Sequence, residues 1–172
     1  RCYLGVGRTK TGKTIDIEGK YLFFQQKSNG KTPVSVAIFH SAGVNTSSFG
    51  SVGETAFFGD SVTRFKNRFV HRLDYNTQLI ISRAFNERLS LQVAPTFIYQ
   101  NLVDGQEKSH LTIVLPMSGR YQYSFGGAVL FEYAYRLNNI SKPNLNNPFS
   151  LGLEFGTAGH VFQVFMSNSP YI

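Results

Sequence analysis

Apolar and polar positions of this chain alternate one by one over most of its length. In 14–25, TIDIEGKYLFFQ, Ile15, Ile17, Gly19, Tyr21 and Phe23 fall on one side and Asp16, Glu18 and Lys20 on the other. Successive side chains of a strand point to opposite faces, so this period of two predicts a strand with one apolar and one charged surface. A helix would spread those charges around its circumference. In 70–83, His71, Leu73, Tyr75, Thr77, Leu79 and Ile81 oppose Arg72, Asp74, Asn76, Gln78 and Ser82. In 88–100, Leu89, Leu91, Val93, Pro95, Phe97 and Tyr99 oppose Arg88, Ser90, Gln92, Thr96 and Gln100. In 126–137, Gly127, Val129, Phe131, Tyr133, Tyr135 and Leu137 oppose Ala128, Leu130, Glu132, Ala134 and Arg136. In 149–156, Phe149, Leu151, Leu153 and Phe155 oppose Ser150, Gly152, Glu154 and Gly156. Weaker alternation in 1–8, 33–45, 110–122 and 160–168 brings the expectation to about nine strands and no helix.

Strand length and the charges turn this pattern into a membrane reading. Soluble strands cluster around 5–6 residues. Several of these run to about 12, and a membrane-crossing strand needs roughly 9–11 at a tilt near 45°. An antiparallel up-and-down transmembrane β-barrel accommodates both the length and the charges. Leu73, Leu79, Leu91, Phe97, Phe131 and Phe155 then face lipid, and Asp16, Glu18, Lys20, Arg72, Asp74, Arg88, Glu132, Arg136 and Glu154 face the lumen. Tyr3, Tyr21, Tyr99, Tyr121, Tyr123 and Tyr135 lie near strand ends, where aromatic girdles belong. The connections at 85–87, 123–126 and 157–159 are short, and those at 46–67, 101–109 and 138–147 are long. Bacterial barrels have short periplasmic turns and longer extracellular loops, which makes 26–32 periplasmic and 9–13 extracellular. The first and ninth strands then both run outward. Single-chain bacterial barrels have even strand numbers, so residues 1–172 are expected to be one barrel domain lacking strands at one or both ends, of 10–12 in the full protein.

Composition narrows the alternatives. A chain of 172 residues makes one domain of ordinary size. With 16% charged and 15% aromatic residues, intrinsic disorder is excluded. No run approaches 18 apolar residues, which excludes a transmembrane helix but not a barrel. The single Cys2 permits neither an internal disulfide nor a multi-thiolate metal site. The chain starts at Arg1 with no basic-plus-apolar leader, so a signal peptide is expected to be already removed or to lie outside this stretch. The net charge of +7 would suit nucleic acid, an anionic membrane or an acidic partner. Basic residues sit mostly in connecting segments (Lys27, Lys31, Arg64, Lys66, Arg68, Lys108, Lys142) and form no basic helix. That placement argues against nucleic acid; the charges read first as solvated loop residues and second as contacts to lipid phosphates, including anionic lipopolysaccharide.

Residues 7–14, GRTKTGKT, match the phosphate-loop pattern through Gly7, Gly12, Lys13 and Thr14. That chemistry requires a helix after the loop; a strand follows here, so the segment reads as a hairpin loop. His40, His71, His110 and His160 lie on different strands without ligand spacing, so no metal or other cofactor is expected. Ser82 and Ser90 fall on the lumen side with no oxyanion constellation, and no enzyme activity is expected. The predicted lumen charges comprise five acids and four bases. Near balance favours a self-neutralising lattice over a selectivity surface of one sign. In that lattice Arg72, Arg88 and Arg136 would pair with Asp74, Glu132 and Glu154, and Lys20 with Asp16 or Glu18, narrowing the bore.

Four stretches carry a family resemblance: LGVGRTKTGKT (4–14), PVSVAIFHSAGVNT (33–46), HRLDYNTQLIISRAFNERLSLQVAPTFIYQNLV (71–103) and PFSLGLEFGTAGHVFQVFMSNS (148–169). The most specific pieces are SRAFNERLSLQVAPT and GHVFQVFMSNS. With them the chain resembles a family of uncharacterised outer-membrane β-barrel proteins of Bacteroidota. The resemblance implies a signal peptide, further strands at both ends and no catalytic motif. The expected function is a non-enzymatic integral outer-membrane barrel, a scaffold or narrow conduit within a larger envelope complex and in contact with other envelope proteins. The alternatives are a soluble lipocalin-like barrel holding an apolar ligand, in which the two faces exchange roles, and a general porin.

Overall fold

Each alternating segment hydrogen-bonds to the next, so the chain forms an antiparallel meander. The computed structural model describes residues 1–9, 13–47, 55–57, 64–66, 68–103, 109–138 and 146–169. The strands are β1 (Cys2–Thr9), β2 (Thr14–Phe24), β3 (Ser35–Asn45), β4 (Thr55–Phe57), β5 (Arg64–Lys66), β6 (Leu73–Ala84), β7 (Leu89–Val93), β8 (Thr96–Gln100), β9 (Leu111–Gln122), β10 (Gly127–Arg136), β11 (Phe149–Gly156) and β12 (Val161–Ser167). The short pair β4–β5 stands alone within the long β3–β6 connection, and the other ten strands form one sheet. β7 and β8 are consecutive and lie between the same neighbours, β6 and β9, so ten strands make nine passes.

The interruption between β7 and β8 has a local cause. It holds Pro95 and lies opposite Pro116 of β9, two residues that cannot donate to the ladder. Their carbonyls still take part: Leu79 N–H donates to Pro95 O at 3.0 Å and Ala94 N–H to Pro116 O at 2.9 Å. The alternation of faces continues through the break.

One face of the sheet is sheltered and the other is open. Ala37, Ala94, Thr96, Ala128 and Ala134, the most buried side chains, share the inner face. The large exposed apolar residues crowd the outer face, among them Leu4, Ile17, Phe97, Leu153 and Val164. Antiparallel pairing puts the turns at 25–34, 85–88, 123–126 and 157–160 at one end. The strand ends that flank the three long connections lie at the other. Rows of register partners climb between these ends. One starts at Ser35, the first residue of β3, at the short-turn end and finishes at Ser167, the last of β12, at the long-connection end. Strand tilt in a barrel wall produces such a stagger.

Two predicted strand starts need correction. Phe69–Arg72 is a single 3-10 turn, and β6 begins at Leu73. Arg72 leaves the strand pattern because its guanidinium donates to the carbonyls of Asn45 at 3.1 Å and Ser47 at 2.6 Å, where the chain departs from β3. Arg88 lies in the turn before β7. Asn86 Oδ1 accepts from the N–H groups of Arg88 and Leu89, at 2.9 and 2.8 Å, and such Asx contacts favour a turn over a strand.

Candidate functional site

Three of the inner face's acids, Asp16, Glu18 and Asp74, lie on the first four passes. One row reads Gly7, Asp16, Gly43, Asp74, Gln100 across β1, β2, β3, β6 and β8. The next begins Gly5, Glu18, Ser41, Asn76. The glycines opposite these acids provide room. A Cβ on Gly7 would lie 2.7 Å from Asp16 Oδ2, one on Gly5 2.8 Å from Glu18 Oε1, and one on Gly43 would run into the Asp74 carboxylate. The carboxylates therefore lie across the backbone instead of projecting away from the inner face.

Tyr3 donates its hydroxyl to Glu18 Oε1 at 2.7 Å. It faces inward, which corrects its place in an outer girdle. Lys20 is two residues from Glu18 on the same face, roughly 6.6 Å along the strand, and Tyr3, the register partner of Lys20, is the group that reaches Glu18. Tyr99, Tyr121 and Tyr135 do lie on the outer face near strand ends.

Past β6 the inner face changes character. Ser35, Ser82, Gln92, Ser118, Glu132, Ser150 and Ser167 are successive register partners across seven strands. Ser150 Oγ donates to Ser167 Oγ at 3.0 Å. Beside this row is a cleft of 330 Å³, lined in part by Ser82, Ser90, Gln92, Ser118, Arg120 and Glu132. Single serines far apart in sequence carry no pattern, and only the register reveals the row.

Near the short-turn end, Arg120 reaches across β10 to Glu154. Its Nη2 and Nε lie 2.7 and 3.1 Å from Oε1, and Gln163 Nε2 donates to Oε2 at 2.8 Å. Among the described residues this is the one ion pair. It joins a predicted lumen residue to an arginine outside the predicted set, whose segment, 110–122, alternates weakly. Of the nine predicted lumen charges, Asp16, Glu18, Lys20, Asp74, Glu132, Arg136 and Glu154 are inner-face strand residues, while Arg72 and Arg88 lie in turns. The other pairings of the expected lattice do not form between described residues.

The histidines are dispersed. His71 is in the 3-10 turn, His110 stacks on Tyr99 with ring centroids 5.9 Å apart, and His160 stacks on Phe162 at 6.2 Å. His40 faces outward from β3. Neither Ser82, opposite Gln92, nor Ser90, opposite Arg120, has a histidine as its register partner. Among the described residues no three His, Cys, Asp or Glu side chains converge as a metal site. In the 7–14 segment, Thr9 and Thr14 pair across the β1–β2 hairpin, and 10–12 lie outside the described residues.

All six residues expected to face lipid are on the outer face. Leu79, Phe97, Phe131 and Phe155 are 39%, 46%, 38% and 44% exposed; Leu73 and Leu91 are half-buried. Leu91 and Phe131 close over Gly119, where a Cβ would meet Leu91 Cδ2 at 2.8 Å. Polar groups on the outer face are few. Arg83 lies 5.0 Å from the ring centre of Phe85 at the short-turn end, Arg8 is at the other end, and His40 Nδ1 is 2.9 Å from Thr77 Oγ1 between them.

A family model described as membrane bound beta barrel domain (DUF5777) matches residues 1–172. No curated protein and no solved structure matches the chain.

Proposed function

Because the chain belongs to the membrane bound beta barrel domain family, we propose that it is an integral outer-membrane β-barrel. In this reading it is non-enzymatic and serves as a scaffold or narrow conduit within a larger envelope complex. The observation that carries the proposal is the exposed apolar outer face, borne by full-length strands of up to 12 residues. A lipocalin-like container would need the same side chains turned inward. The short turns face the periplasm, and the interfacial Arg8 and Arg83 meet lipid phosphates, including those of lipopolysaccharide. The partners are lipid and other envelope proteins, with no nucleic acid.

The 10–12 strands expected of the full protein put the bore between the roughly 8-strand barrel that side chains fill and the 16–18-strand barrel that holds an open channel. Serines, carboxylates and the Arg120–Glu154 pair keep that bore wet, while its width limits flow. Purified full-length protein in a planar bilayer should give little or sporadic conductance. A steady, large, weakly selective conductance would replace this reading with a general porin. Release of the protein from outer membranes by alkaline carbonate would defeat the integral placement.

A further inference from the structure

His40 is the sixth of eleven residues in β3, Gly19 the sixth of eleven in β2, and Thr77 the fifth of twelve in β6. The three are register partners on the outer face. In a barrel that spans the membrane, as proposed above, they lie at the middle of the hydrocarbon. An exposed ionisable side chain there has a poor solvent in lipid and is expected to face protein or water. The rest of the outer face confines its charges to strand ends, at Arg8 and Arg83.

The hydrogen bond between His40 Nδ1 and Thr77 Oγ1 satisfies one ring nitrogen, and Nε2 of the exposed ring has no hydrogen-bond partner among the described residues. If Thr77 donates, Nε2 carries the proton and Thr77 Oγ1 keeps a lone pair. If Nδ1 donates, Nε2 is an acceptor and Thr77 keeps its hydroxyl proton. Either tautomer thus offers one donor and one acceptor. A patch with one of each complements itself across a two-fold axis, where residue i meets j and j meets i.

Shape agrees with this inventory. At Gly19 a Cβ would meet only Leu4 Cδ2 at 3.4 Å and Tyr3 O at 3.8 Å, so the position is a shallow hollow with room for an incoming side chain. Leu4, Ile17, Tyr21 and Ile38 surround it, exposed by 79%, 64%, 50% and 36%. A protein surface seated here would pack on these apolar side chains and supply the polar centre with the hydrogen-bond partners that hydrocarbon lacks.

We propose that this patch is a homodimer interface, in which a second copy of the chain packs about an axis along the membrane normal and His40 Nε2 exchanges hydrogen bonds with Thr77 of the other copy. The inference rests on the membrane reading. Its test is crosslinking in native outer membranes, in a Cys2→Ser background of the full chain, with a short bis-maleimide. Gly19→Cys should give a species of twice the chain mass, and Leu153→Cys, on the outer face of β11, should stay monomeric. Adding His40→Leu, which suits lipid better than histidine does, should cut the Gly19→Cys dimer at least several-fold. Ultracentrifugation of the unmodified protein in mild detergent should show the dimer without any crosslinker. A monomer in detergent, crosslinking at Gly19→Cys no greater than at Leu153→Cys, or a product joined to a different protein would each overturn the proposal. Flotation of the same membranes reads the membrane placement separately: protein that floats uncrosslinked sinks the dimer alone, and protein that does not float sinks the reading beneath it.

Discussion

The first four passes, β1 to β6, and the last five, β7/β8 to β12, share one alternating pattern and differ in what it carries. On the inner face the first group lays Asp16, Glu18 and Asp74 across glycines, with Tyr3 holding Glu18. The second group lines the face with serines and ties one of its two acids, Glu154, to Arg120 and Gln163. On the outer face the first group has a polar centre at His40 and Thr77, whereas β9 to β12 present Leu, Ile, Val, Met, Phe, Tyr and Gly alone. Period two therefore determines which way a side chain points, and the neighbouring strand determines what it can do there.

The largest expected effect tests the unbroken apolar sector. Phe131→Arg, near the centre of β10, should cost ~2–4 kcal/mol in denaturant titrations in lipid vesicles. Glu132→Gln, one residue along and facing inward, should change stability by less than about 0.5 kcal/mol. Equal costs would erase the distinction between the faces.

Next in size is the glycine-over-acid device of the first sector. Gly43→Ala should destabilise by about 1–3 kcal/mol, the usual cost of overpacking. Asp74→Ala in the same chain should recover most of that loss by removing the carboxylate the new methyl meets. A double-mutant cycle with no coupling would remove the steric explanation.

The smallest effect belongs to the second sector's ion pair. Arg120 is 39% exposed and Glu154 15%, so water screens the pair substantially. Glu154→Gln should cost about 1 kcal/mol or less, with reduced sensitivity to salt. A loss of several kcal/mol would mean that Arg120 is far drier than its exposure implies.

What could be read from the chain follows from these differences. The faces of Leu79, Phe97, Phe131, Asp16 and Glu132 were legible because strand geometry alone sets them. Register is a property of two strands, so Ser35 meeting Ser82, or Arg120 reaching Glu154, left no trace in either segment. Arg72 and Arg88 match the alternation by position, but the carbonyls at the end of β3 and the Asn86 turn claim their surroundings first. Tyr3 misled for a similar reason. An aromatic residue near a strand end suits a girdle, and only its pairing with Lys20 and its hydrogen bond to Glu18 show that it turns inward.

The central claim is that the apolar outer face meets hydrocarbon and the inner face meets water. Spin labels placed one at a time along β10, from Gly127 to Arg136, report this directly through collisions with oxygen, which concentrates in lipid, and with a water-soluble nickel chelate. Oxygen access should rise at 129, 131 and 133 and nickel access at 130, 132 and 134, in opposite phase with a period of two. The reverse phase, or water access at both sets, would contradict the account.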